Sequence, residues 1–173
     1  NVLRQTTARL PGLLIGMIGG IGNSMILGNF DSTFAAHPEM ALYIPLIGGT
    51  GGNFGTQSSA IIVQGLANSS LDAKNTFKQI TKESVVALIT ATIISLLVYT
   101  YNFIRFGATA TVTYSVSISL FAVVMFASIF GTLVPMTLEK FKIDPAIATG
   151  PFIAITNDII GMMLYMGITV LLS

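Results

Sequence analysis

The sequence predicts an all-α integral membrane protein built as a bundle of five transmembrane helices. Two observations lead to this fold class. The 173 residues are 53% hydrophobic and only 9% charged, against roughly 25% charged residues in ordinary soluble domains. The few charges are also clustered, so that long uncharged intervals separate them. Because a soluble domain covers itself with polar side chains, this composition is typical of a chain whose solvent is lipid.

Five uncharged intervals are long enough to cross a bilayer, whose hydrocarbon core of about 30 Å requires about 20 apolar residues in a helix. They cover residues 10–30, 40–71, 84–104, 106–138 and 145–173, the last with one charge at Asp158. The connections between them are short. We therefore expect a single transmembrane domain over 1–173, with helices at about 10–31, 39–66, 80–104, 112–139 and 145–172.

Positive residues predict the orientation of the bundle, because short cytoplasmic loops retain Lys and Arg. All the basic residues except Arg105 fall before the first helix, between the second and third, or between the fourth and fifth. We therefore expect a multi-pass protein of the cell membrane, with its N-terminus in the cytoplasm and its C-terminus outside.

Charge and composition also exclude several functions. The formal net charge of +1 provides no basic surface that would attract nucleic acid. Cysteine is absent and the single histidine, His37, falls in a predicted loop, so membrane-embedded catalysis lacks the residues it needs. We predict that the chain is not an enzyme. A purely structural membrane subunit stays open as an alternative.

The first helix carries glycines at a spacing of four, Gly12, Gly16 and Gly20, which share one face and favour close helix packing. The run from Gly19 to Asn23 resembles the run from Gly48 to Asn53 in the second interval. Because five helices cannot divide into two equal repeats, we interpret this likeness as chance or a shared packing need.

The second interval is too long for one straight helix, since its 32 residues would extend about 48 Å. We expect it to tilt, bend or unwind within residues 45–57, where five glycines fall within eight residues. Broken helices at membrane depth are buried or line a water-filled cavity, where freed carbonyls and amide oxygens suit a cation. Tight helix crossing is the alternative explanation of the glycines. The residues that we expect to line a pore here are Gly49, Gly52, Asn53, Thr56 and Gln57.

The fifth interval carries the strongest indication of function. Asp144 and Pro145 are typical of a helix start, whereas Asp158 lies 14 residues further on, about 21 Å along the helix. A carboxylate at the centre of a transmembrane helix costs about 2.5–3.5 kcal/mol, and no basic residue is available at that depth. Protonation, a water-filled pore or a bound cation would each explain how the Asp158 carboxylate is tolerated at that depth.

A divalent cation fits Asp158 best in a dimer. One carboxylate is a weak site, but a homodimer with its axis along the pore would bring two Asp158 side chains together. Mg²⁺ is usually held by one or two carboxylates and keeps several waters. We therefore predict that Mg²⁺ is the transported ion, for which Mn²⁺ or Ca²⁺ can substitute. We also expect Pro151 and Asn157, beside Asp158, to line the pore.

These residues resemble the transmembrane domain of the MgtE-type magnesium channels and transporters. The likeness extends over essentially the whole chain and rests on the motifs Arg9-Leu10-Pro11, Pro45 with Gly51 to Gln57, and Asp144 through Pro151 to Asp158. It implies a homodimer with one pore between the subunits, lined by the second and fifth helices. It further implies that Asp158, the Ala154 carbonyl and Asn53 contact the ion or its water shell.

We therefore expect a channel or transporter that moves Mg²⁺ down its electrochemical gradient. A sodium- or proton-coupled divalent cation exchanger, in which Asp158 titrates, is the alternative. Members of the family usually carry cytoplasmic sensing domains that close the pore at high internal magnesium, and this sequence contains none of them. Since the chain begins at Asn1, we expect it to be a piece of a longer protein; whether that protein carries cytoplasmic regulatory domains stays open.

Overall fold

The computed structural model describes residues 1–148 and 150–173, and within them every regular element is a helix. The long helices are α1 (Val2–Gly28), α3 (Ile44–Ala67), α4 (Thr76–Phe106), α5 (Thr111–Lys140) and α6 (Pro151–Leu172). The short helix α2 (Asp31–Ala36) and three 3-10 helices (Pro38–Tyr43, Ala73–Asn75 and Pro145–Ala148) lie in the connections. The long helices correspond in order to the five predicted ones.

Four helix starts differ from the prediction by four residues or more, among them α3 at Ile44 rather than at about 39 and α4 at Thr76 rather than at about 80. The first helix begins at Val2, because Asn1 caps it by accepting a hydrogen bond from the Leu3 amide at 3.0 Å. The last helix begins at Pro151 rather than at Pro145. Asp144 does act as a cap, but its Oδ1 accepts a hydrogen bond from the Ala146 amide at the start of a separate 3-10 helix.

Four of the described segments are both long and apolar enough to cross a membrane. They are Val2–Gly28, Ala73–Phe106, Thr111–Lys140 and Pro151–Leu172. The remaining long helix, α3, has 24 residues and no charge, so its length also suffices. Its glycines, serines and amide side chains lower its hydropathy, and composition by itself does not identify it as a span.

Helix α5 lies at the centre of the bundle and packs against α3, α4 and α6. Helix α3 packs in addition against α6, but α3 and α4 make almost no contact within the described residues. Helix α1 packs mainly against α6, and none of its residues is buried. The packing therefore leaves an open groove on each side of α3, one towards α1 and one towards α4.

The predicted unwinding of residues 45–57 is wrong, because α3 is a continuous α-helix through all of its glycines. The long uncharged interval is divided instead at Tyr43, where the 3-10 helix Pro38–Tyr43 ends and α3 begins. The phenol of Tyr43 donates a hydrogen bond to Asn102 on α4, and burial raises the pKa of that phenol above its ordinary value. The Tyr165 hydroxyl on α6 donates to the Met40 carbonyl at 2.9 Å. These bonds position the start of α3.

Gly51 and Gly55 of α3 serve close packing, as the alternative explanation held, whereas a Cβ at Gly49 would meet no described atom within 4 Å. A Cβ at Gly51 would lie 2.6 Å from the Val123 side chain on α5. Where α5 crosses α3, a Cβ at Gly131 would lie 2.7 Å from the carbonyl oxygen of Gly55. Helix backbones that approach this closely make van der Waals contacts with each other, which larger side chains at these positions would prevent.

The predicted glycine face of α1 is only partly a packing face. A Cβ at Gly12 would lie 3.4 Å from Pro151 on α6, in ordinary contact. At Gly16 and Gly20 a Cβ would meet no described atom within 4 Å. The close approach is instead at Gly19, where an added side chain would collide with Ile155.

Replacing Gly131 by alanine should destabilise the bundle, because the new methyl group meets backbone that cannot move without separating α3 from α5. We expect Gly131→Ala to lower the free energy of unfolding by about 1–3 kcal/mol, seen as a lower thermal unfolding temperature in detergent. Gly167→Ala is the matched control, since a Cβ there meets no described atom within 4 Å and alanine favours the helix. Equal unfolding temperatures for the two variants would contradict the proposed crossing.

Candidate cation site beside Asp158

The carboxylate of Asp158 lies directly against the backbone of α3. Asp158 stands eight residues into α6 and is partly buried. A Cβ at Gly48 would collide with its Oδ1 atom. Glycine at this position therefore lets the carboxylate approach the α3 backbone.

Asp158 faces an open cavity of about 410 Å³ between α1, α3 and α6. Its polar side chains are Asp158, Asn53, Thr56 and Asn23. Gly48, Gly49 and Gly52 form part of the α3 wall, and Ala154 forms part of the α6 wall. None of the described residues that line the cavity is basic, so the only formal charge among them is the negative charge of an ionised Asp158.

Six of the nine predicted site residues line this one cavity. They are Asp158, Ala154, Asn53, Gly49, Gly52 and Thr56. A Cβ at Gly52 would lie 3.8 Å from the carbonyl oxygen of Ala154, which places that oxygen on the α3 side of α6. The Thr56 hydroxyl donates to the Gly52 carbonyl, which leaves the hydroxyl oxygen free to accept from water.

The other three predicted residues lie elsewhere. Gln57 faces a different cavity, between α3 and α4. Asn157 is only 1% exposed; its side-chain amide donates to the Ile153 carbonyl at 3.0 Å and packs against Gly55. Pro151 is exposed at the first turn of α6, near Gly12. Since successive residues of a helix point about 100° apart, Asn157 cannot share the direction of Asp158.

Asn23 on α1 also lines the cavity and is not among the residues predicted from the sequence. Its Oδ1 atom is buried, and no hydrogen-bond partner for it exists among the residues that the structure describes. Buried side-chain oxygens are normally satisfied by protein or by ordered water. The likeness between the runs ending at Asn23 and Asn53 was the available signal, because both asparagines border the same cavity.

The donor set suits a hydrated cation better than a dehydrated one. Within the described ranges, no three His, Cys, Asp or Glu side chains gather to hold a metal ion directly. One carboxylate with amide, hydroxyl and carbonyl oxygens can accept hydrogen bonds from metal-bound water. Six waters at about 30 Å³ each occupy about 180 Å³, well below the cavity volume of about 410 Å³.

Apolar helices around a carboxylate-bearing polar cavity define a helical membrane protein. Residues 44–168 match the MgtE family model, described as a divalent cation transporter, and the chain belongs to this family. The matched range contains every cavity residue except Asn23. The resemblance predicted from the motifs is therefore confirmed.

Curated relatives agree with this assignment. The chain is 32% identical over 160 residues to the magnesium transporter MgtE of Bacillus subtilis, covering 92% of the chain and 35% of that protein. It is 32% identical over 165 residues to the magnesium transporter MgtE of Thermus thermophilus, covering 95% and 36%. The magnesium transporter MgtE of Enterococcus faecalis is 29% identical over 168 residues, covering 97% and 37%. The chain thus spans about a third of the length of these relatives.

Gly48→Ala should weaken cation binding at Asp158 without unfolding the bundle. The new methyl group displaces the end of a flexible side chain rather than backbone, so we expect little change in thermal unfolding. Displacing the carboxylate should lower Mn²⁺ affinity about tenfold, the lower end of the effects that supporting residues have on metal sites. Electron paramagnetic resonance of free Mn²⁺ in the presence of purified protein measures this. Gly167→Ala is again the control, and equal affinities for both variants would rule out this role of Gly48.

Proposed function

We propose that this chain forms the membrane pathway of a Mg²⁺ transporter, in which the ion moves down its electrochemical gradient past Asp158. The single observation that carries this proposal is the carboxylate of Asp158, partly buried against Gly48 in a polar cavity whose described lining includes no basic side chain. A charge at this depth in an apolar helix is costly and marks an ion pathway more often than it serves packing. The relatives named as magnesium transporters support the choice of ion.

A homodimer explains the exposed face of α3. Gly49, Asn53 and Gln57 follow one another at intervals of four and are all exposed in the single chain. Amide side chains on a lipid-facing surface would lose hydrogen bonds with water that lipid cannot replace. A second copy placed against this face would turn it into the wall of a water-filled pore. In this arrangement α3 is the fifth span, and α3 and α6 line the pore.

The dimer also supplies the charge that a divalent cation requires. In a two-fold interface the same surface of each subunit meets its copy, so two Asp158 carboxylates would face one another across the axis. Two carboxylates balance one 2+ ion. Mg²⁺ is favoured over Ca²⁺ because the cavity offers few direct ligands and room for retained water, and Mn²⁺ can replace it. Ca²⁺ would pass less readily.

The basic residues support one orientation of this transporter. Lys74, Lys78 and Lys82 lie between α3 and the body of α4, and Lys140 and Lys142 lie at the end of α5 and just beyond it. By the positive-inside rule these ends lie in the cytoplasm. The N-terminus then lies on the same side of the cell membrane, and the C-terminus lies outside.

Asp158→Asn removes the charge from the pathway while keeping the size of the side chain. We expect the rate of Mg²⁺ uptake into proteoliposomes, at equal protein incorporation, to fall at least tenfold. Asp72→Asn is the control, because Asp72 is exposed and only caps the 3-10 helix Ala73–Asn75, a role that asparagine also fills. Uptake by Asp158→Asn at the wild-type rate would refute the proposal. Uptake that required an imposed sodium or pH gradient would instead indicate a coupled exchanger.

The dimer can be tested by cross-linking, which is clean here because the chain contains no cysteine. We expect Gly49→Cys in membranes to form a covalent dimer with a short bis-maleimide, since the proposed pore brings two copies of this face together. Ile93→Cys is the control, because Ile93 is exposed on α4 and faces lipid in this arrangement. Electrophoresis under denaturing conditions measures the product. A monomer at Gly49→Cys, or equal yields for both variants, would exclude this interface.

A further inference from the structure

A second polar cavity lies on the opposite side of α3 from Asp158. Helices α3 and α4 both pack on α5, but their described residues scarcely touch one another. The space between them is an open cavity of about 410 Å³. Its polar lining consists of Glu83 and Thr90 from α4 and of Thr50, Asn53, Gln57 and Ser58 from α3.

Glu83 is a buried carboxylate that the pathway past Asp158 does not use. It is 9% exposed and is the eighth residue of α4, about 10 Å from the start of that helix. The Gln79 side chain donates to the Oε1 atom of Glu83 at 3.3 Å, and the backbone carbonyl of Glu83 accepts from the Ser128 hydroxyl at 3.0 Å. These contacts hold the carboxylate on the inner side of α4.

The charge of Glu83 is not balanced by the cavity that it faces. In the described part of the chain, no lysine, arginine or histidine lines that cavity. The nearest basic residues along α4, Lys78 and Lys82, line a separate cavity with Ser70 and Met136. An ionised carboxylate inside a membrane bundle needs a cation, water or a proton. The amide and hydroxyl groups around Glu83 suit a cation that keeps its water.

Asn53 connects the two cavities, because it lines both. From Gly48, which touches Asp158, to Gln57 the chain advances nine residues, or about 14 Å along α3. This displacement points towards the C-terminal end of α3, the end that carries the lysines of the following connection. Glu83 therefore lies between Asp158 and the lysine-rich end of the bundle.

We propose that Glu83, Gln57 and Asn53 form a second site for a hydrated divalent cation, in series with Asp158. This proposal deepens the proposed function, on which it rests, by adding a site on the cytoplasmic side of Asp158. Ion pathways conduct well when several moderately weak sites follow one another, because an ion that binds too tightly at one site does not leave. The cavity has room for six waters, which occupy about 180 Å³. In this arrangement Asn53 passes the ion between the two carboxylates.

The test counts Mn²⁺ bound to the full chain in detergent, by electron paramagnetic resonance of the free ion. In Asp158→Asn we expect binding of one Mn²⁺ per chain to remain, and we expect a further Glu83→Gln substitution to abolish it. Glu139→Gln is the matched control, because Glu139 is exposed at the end of α5 and should leave binding unchanged. Binding that survives Glu83→Gln, or that is already absent in Asp158→Asn, would overturn the proposal.

Two further measurements guard against loss of folding and separate this inference from the proposed function. Gln57→Ala changes an exposed side chain, and we expect it to weaken the remaining Mn²⁺ site several-fold at an unchanged unfolding temperature. In an otherwise wild-type chain, Glu83→Gln should slow Mg²⁺ uptake several-fold. If Asp158→Asn transports Mg²⁺ normally while the Glu83 site binds Mn²⁺, the proposed function fails and the second site stands. If Gln57→Ala binds as the wild type does, the second site fails in the form stated.

Discussion

The close approach of α3 to α5 and α6 is the constraint on which the rest of the molecule depends. Each glycine in a helix interior costs about 1 kcal/mol relative to alanine, and α3 contains several of them. In lipid, helices gain little by hiding apolar surface from one another, so close packing has to hold them together. The contacts at Gly51 and Gly55 supply that packing. The same proximity brings Gly48 against the carboxylate of Asp158.

This packing also explains why both polar cavities border α3. A helix held tightly on α5 and α6 stands apart from α1 on one side and from α4 on the other. The remaining face of α3 presents Asn53 between the two openings. The glycines and amide side chains that keep α3 out of the set of strongly apolar spans are therefore the features that suit it to line a pore. The same small and polar residues of α3 lower its hydropathy and line the proposed pore.

The sequence predicted the long helices and the grouping of Asp158 with residues of α3, because both follow from where charges are absent or isolated and where polar residues interrupt apolar helices. It did not predict that α3 stays helical through its glycines, since packing against α5 overrides their weak helix preference. It could not separate Asn157 from Asp158, because the direction of adjacent side chains depends on how α6 is rotated. Glu83 was not predicted as a site residue, because it directly precedes an uncharged interval, where a charge is expected to mark the end of a transmembrane helix. In the structure α4 begins seven residues earlier, so Glu83 lies inside the helix.

Two carboxylates in series have an electrostatic consequence for ion movement. Two divalent cations separated by at least the rise of about 14 Å along α3 repel each other by at most about 5 kcal/mol at an effective dielectric constant of about 20, and by at most about 1 kcal/mol in bulk water. Retained hydration water and open cavities place the real value between these limits. During uptake, an ion that arrives at Asp158 would therefore weaken the hold of Glu83 on the ion ahead of it. A carboxylate strong enough to attract Mg²⁺ would then still release it, because the next ion supplies the free energy that release requires.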